Sequence, residues 1–92
     1  MRGDRTLVVY GELDIATAPE LVELLERLRR HGHAVTVDLA EVTFMDSTGL
    51  TTLMDAHLLA QRNGWTFTVT RPSPAVKRVF ELAGVYGVLD EG

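Results

Sequence analysis

The chain has 92 residues, of which 46% are apolar and 24% charged, a composition that excludes pervasive disorder and favours one domain over residues 1–92 with a small core. It contains no cysteine, so disulfides, thiolate metal sites and cysteine nucleophiles are excluded. A formal charge of −4 with scattered signs provides no broad basic patch, and the nearest cluster, Arg27, Arg29 and Arg30, belongs to the last turn of an expected helix. Nucleic acid is not an expected partner. Neither a signal peptide nor a run long enough to span a bilayer is present, which points to a cytoplasmic protein without a membrane partner. Only the first five and last three residues are expected to fray.

In chain order, "TLVVYGEL" from Thr6 reads as a buried strand that ends in an acidic loop. Thr17 and Glu20 have capping-box spacing, Pro19 suits a first turn, and Leu21, Leu24, Leu25 and Leu28 follow at helical intervals, predicting a helix over 18–31 closed by Gly32. "AVTVDL" from Ala34 is a second strand. Leu50, Leu53, Met54 and Leu58 recur as an inward stripe, so a second helix is predicted over 47–62, with Asn63 and Gly64 as its stop. "WTFTVT" alternates as a third strand. Ser73 then caps a third helix with Pro74 in its first turn and Val76, Val79, Phe80 and Ala83 inward, and "VYGVL" gives a short final strand. Strand–helix alternation of this kind makes an α/β fold, with about four mostly parallel strands, right-handed crossovers and three helices.

The segment "VTFMDSTGL", residues 42–50, is the chemically informative one. A helix that starts at Asp46 or Ser47 places both hydroxyls of Ser47 and Thr48 at its positive end, where backbone N–H groups lack intrahelical acceptors. Capping explains one of the three residues Asp46, Ser47 and Thr48, but a cap requires only one. Gly49 in the first turn sacrifices up to about 1 kcal/mol of helix propensity, which a close approach by another backbone or a ligand rationalises. Asp14, in the acidic loop "GELDIATAPE", lies at the neighbouring strand–helix junction and is expected near Ser47, since strand ends cluster in parallel sheets.

Catalytic apparatus is missing from the sequence. His31 and His33 flank a helix-ending glycine, and His57 falls ten positions after Ser47 on or near the inner stripe, so no Ser/His/Asp arrangement is evident. The chain has neither G-x-S-x-G nor a glycine-rich phosphate loop nor H-E-x-x-H, and its sole lysine, Lys77, sits on a predicted helix. No enzyme activity and no cofactor are expected.

"GELDIATAPEL", "VDLAEVTFMDSTGL" and "SPAVKRVFELAGV", in this order, resemble the bacterial anti-sigma factor antagonists, single-domain STAS proteins of the sporulation and general stress-response type. The similarity runs from about Leu7 to Leu89, and D-S-[ST]-G-L is its most specific part. It implies a STAS-type sheet and a phosphorylation switch: a partner that is both anti-sigma factor and serine kinase modifies Ser47, and a serine phosphatase reverses the reaction. The unmodified form binds that partner and releases the sigma factor. Asp46, Thr48, Gly49 and Asp14 would adjoin the switch, while Thr51, Asp55 and Leu59 continue the outward stripe of the second helix as a docking face. ATP and Mg²⁺ belong to the partner. Thr51 stands where the family often has glycine, and the family's additional first strand and closing helix have no counterpart, from which an uncovered sheet edge or core face is expected, and with it a weak homodimer or lower stability. The alternative is a STAS subunit of a transporter-associated or sensory complex that works without phosphorylation.

Overall fold

The computed structural model describes residues 4–30 and 34–84. Its elements alternate as expected: β1 (Asp4–Leu13), α1 (Ala18–Arg30), β2 (Ala34–Met45), α2 (Ser47–Asn63), β3 (Thr66–Thr70) and α3 (Pro74–Ala83). The strands form one parallel sheet in the order β1-β2-β3. The fourth strand anticipated at 85–89 and the frayed residues anticipated at 1–3 and 90–92 lie outside the described residues, whereas Asp4 and Arg5, also expected to fray, begin β1 and pair with Ala34 and Val35.

The core is a single cluster on one face of the sheet. Val35, Val37 and Leu39 of β2 and Val69 of β3 are fully buried, and they meet Leu21 and Leu25 of α1, Leu53, Ala56 and Ala60 of α2, and Val76 and Phe80 of α3. All three helices therefore cover the same side. The alternate strand positions Thr36, Asp38, Thr66, Thr68 and Thr70 remain partly or fully exposed, which suits the polar side chains they carry.

β2 continues six residues beyond the "AVTVDL" segment that the sequence marks as strand. The register with β1 shifts twice, between Val8 and Tyr10 and again between Gly11 and Glu12, so β2 carries an extra residue at each shift. Buried positions consequently fall at Leu39, Val42 and Met45 rather than at every second residue. The bulges erase the alternation by which a strand is recognised. They also carry β2 far enough for Met45 to pair with Leu13, which brings the ends of β1 and β2 together.

The inner face of α2 differs from the expected stripe. Leu53 is buried and Leu50 and Met54 pack at the margin, but Leu58 is 46% exposed. Gly49, Thr52, Ala56 and Ala60 point inward instead. At 3.6 residues per turn Leu58 stands about 180° from Gly49, so small residues seat the helix on the sheet and the large leucine faces away. Leu24 of α1 and Ala83 of α3, both expected inward, are likewise exposed. Helix α2 stops at Gly64, whose φ of 76° is the left-handed conformation that glycine adopts readily.

Candidate functional site: the paired strand–helix junctions

Two chain reversals meet where β1 and β2 end. At the second, Asp46 caps α2: its Oδ1 accepts from the Gly49 N–H at 3.0 Å, and its carbonyl accepts from Leu50 at 3.1 Å. The N–H groups of Ser47 and Thr48 thus have no acceptor in the helix and project from its positive end. Ser47 is exposed and its hydroxyl makes no hydrogen bond among the described residues. Because Asp46 supplies the cap, the helix start does not need the Ser47 hydroxyl.

Gly49 fixes this helix start to the other junction. A Cβ at Gly49 would lie 2.5 Å from the Leu13 carbonyl oxygen and 2.8 Å from Met45 Cγ, so only glycine fits. The same carbonyl accepts a 3.4 Å hydrogen bond from Asp46 N–H. Of the two explanations for this glycine, a ligand or a neighbouring backbone, the neighbouring backbone is the one present.

Asp14 follows Leu13 directly, so its loop adjoins that of Ser47, as the clustering of strand ends requires. Its carboxylate is engaged within its own turn. Oδ1 accepts from Ala16 N–H at 3.0 Å and Thr17 N–H at 3.1 Å, with the Thr17 hydroxyl oxygen 3.2 Å away. Thr17 does not form the expected capping box. Its hydroxyl donates to the Glu12 carbonyl at 2.9 Å and accepts from Asp14 N–H at 2.9 Å, while Glu20 N–H reaches the Thr17 carbonyl at 3.0 Å. A rigid turn over 14–17 therefore precedes α1, and Asp14 shapes it.

The outward stripe continues from Ser47 along α2. Thr51, Asp55, Leu59 and Arg62 are exposed, whereas Thr48 is partly buried and accepts at its carbonyl from the Thr52 hydroxyl at 2.9 Å. Asp55 and Leu59 border a groove of about 120 Å³ between α1 and α2, which Val22, Leu25 and Trp65 also line. Leu58 joins this face. His57 is partly buried and lies ten residues along the helix, about 15 Å from Ser47, too far to act as its base. Sequence reasoning does not single out Ile15, at 72% exposure, or Phe44, at 49%, both close to the junctions. The available signal is a large aliphatic side chain in an acidic loop, out of phase with any strand or helix.

A family model described as "Mlab, STAS domain" matches residues 2–90. The anti-sigma-B factor antagonist of Staphylococcus epidermidis is 38% identical over 78 residues, covering 84% of this chain and 72% of that protein. The anti-sigma-B factor antagonist of Bacillus subtilis is 29% identical over 82 residues, covering 89% and 75% respectively. Among solved structures, the unphosphorylated anti-sigma factor antagonist SpoIIAA superimposes with a TM-score of 0.80 at 17% identity, covering 100% of this chain and 83% of that one. The STAS domain of a Vibrio cholerae SulP transporter gives 0.71 at 19% identity, covering 98% and 70%, so the same fold serves in different assemblies. With a parallel sheet covered by helices and a match over nearly its whole length, the chain belongs to the STAS domain family.

Proposed function

We propose that this protein is an anti-sigma factor antagonist switched at Ser47. In its unmodified form it binds an anti-sigma factor that is also a serine kinase and so releases the sigma factor; phosphorylation of Ser47 ends the binding, and a serine phosphatase restores it. The observation that carries this reading is the exposed Ser47 hydroxyl, without a partner among the described residues, at a helix start whose cap is provided by another residue. Identity of 38% to an anti-sigma-B factor antagonist supports the choice of partner.

The chemistry asks little of this chain. Transfer of the γ-phosphoryl group from ATP to Ser47 Oγ needs an accessible nucleophile, while the base, the Mg²⁺ and the nucleotide come from the kinase. The product carries a charge of about −1.5 to −2. The free N–H groups of Ser47 and Thr48 and the helix dipole accommodate it, at about 0.3–1 kcal/mol for each favourable contact. A partner acid about 6 Å away repels it by roughly 3 kcal/mol per pair of unit charges at an effective dielectric of about 20, before salt screening. That equals about two decades of affinity. Docking is thus lost with the fold intact. Asp46, Thr48 and Gly49 hold the phosphoacceptor, and Thr51, Asp55 and Leu59 extend the contact surface.

Incubation with the anti-sigma factor of the same organism and ATP tests the reading. Mass spectrometry should find one phosphate, at Ser47, and calorimetry should find affinity reduced about 100-fold by the modification, with Ser47→Ala binding but unmodified. Phosphate at another residue, or equal binding before and after modification, rejects the switch. Capture of a transporter subunit in place of the anti-sigma factor favours the other role in which this fold occurs.

A further inference from the structure

We infer that Ile15 is the apolar anchor by which this protein docks its partner, and that the turn around it exists to hold it out. The inference rests on the antagonist reading for the identity of the partner but on separate observations for the residue. Ile15 is 72% exposed, among the most exposed large apolar side chains of the described residues. A loosely held loop residue at that exposure would need no explanation, since single exposed aliphatics are common. Ile15 is held differently. Its neighbours on both sides are tied: Asp14 Oδ1 takes hydrogen bonds from Ala16 N–H and Thr17 N–H, and Asp14 N–H donates to Thr17 Oγ1. The Thr17 hydroxyl is in turn bonded to the Glu12 carbonyl, which pins the turn to β1. Backbone entropy is therefore lost in folding, leaving little ordering cost for a partner to meet on binding.

The position of Ile15 is fixed relative to Ser47 as well. Leu13, immediately before the turn, is the residue whose carbonyl abuts Gly49 and accepts from Asp46 N–H. One rigid tip thus presents a bulky aliphatic group on one loop and the phosphoacceptor on the other. Buried, preorganised side chains at the centre of an interface contribute most of its binding energy, and surrounding contacts contribute little. An anchor of this kind requires an apolar pocket on the anti-sigma factor beside the site that modifies Ser47, which would set the contact that gives affinity next to the charge that removes it.

Asp14 acquires a specific role. With Oδ1 accepting two backbone N–H bonds inside the turn, it is a positioning residue that acts through Ile15.

The test is calorimetric titration of the purified anti-sigma factor with four full-length forms: unsubstituted, Ile15→Ala, Asp14→Ala and the double variant, with Ser47→Asp as control. Ile15→Ala is expected to weaken binding about 30-fold while leaving the melting temperature unchanged, because an exposed side chain contributes little to stability. Asp14→Ala should weaken binding while Ile15 is present and have no further effect when added to Ile15→Ala, the non-additivity of residues acting as one unit. Ile15→Ala binding within about two-fold of the unsubstituted protein overturns the anchor. Additive Asp14 and Ile15 effects overturn the positioning role. If Ser47→Asp weakens binding and Ile15→Ala does not, the anchor fails and the antagonist reading stands. If Ile15→Ala weakens binding and Ser47→Asp does not, the anchor stands and the switch fails. A protein that binds no anti-sigma factor defeats both.

Discussion

The two strand–helix junctions of this molecule contain the same kinds of residue, an acid followed by a hydroxyl, and use them in opposite ways. After β1, the Thr17 hydroxyl is consumed by Glu12 and Asp14, and the carboxylate of Asp14 is folded into the turn. After β2, Asp46 reaches over Ser47 to Gly49 and leaves the serine hydroxyl with no partner among the described residues. A hydroxyl available for chemistry is therefore one that the local backbone does not need. Composition does not distinguish the two loops; the offset between acid and hydroxyl does, because the N–H that each acid binds three residues on belongs to Thr17 in one loop and to Gly49, beyond Ser47, in the other.

Three substitutions sharpen the contrast, beginning with the contact that joins the junctions. Gly49→Ala places a methyl group 2.5 Å from the Leu13 carbonyl, and overpacking against backbone costs about 2–3 kcal/mol, more than alanine regains in helix propensity. For a domain of this size that lowers the melting temperature on the order of 10 °C, readable by calorimetry; an unchanged melt would mean that the loops are not in hard contact. Thr17→Ala removes a part-buried hydroxyl with several bonds and should cost about 1–2 kcal/mol in chemical denaturation. Ser47→Ala should change stability by less than about 0.5 kcal/mol, since its exposed hydroxyl bonds to none of the described residues. If the two hydroxyl deletions prove equal, the difference between the junctions is lost.

Much of this arrangement is legible in the sequence. The order of elements, the helix start at Ser47, the stop at Gly64, and the need for a close neighbour at Gly49 all follow from residue types that tolerate few conformations. What escapes is instructive. The second half of β2 is hidden because two bulges break its alternation, although that half brings the site together. Periodicity puts Leu58 inward because it weighs large side chains, while Gly49, Ala56 and Ala60 bury a helix face without a strong hydrophobic signature. Thr17 fits a capping box and an Asx-type turn equally well by spacing, and only the position of Asp14 decides between them. Ile15 fits no periodic pattern and is marked only as an aliphatic residue in an acidic loop, because its prominence comes from the turn that surrounds it.

The snug seating of Gly49 against the Leu13 carbonyl bears on tempo. On the proposed switch, a tip clamped in this way needs little rearrangement when Ser47 gains or loses its ester. The lag between signal and response would then be governed by how fast the modifying enzymes turn over and how soon the bound partner departs, so a cell could retune its reaction time by altering those proteins and leave this one as it is.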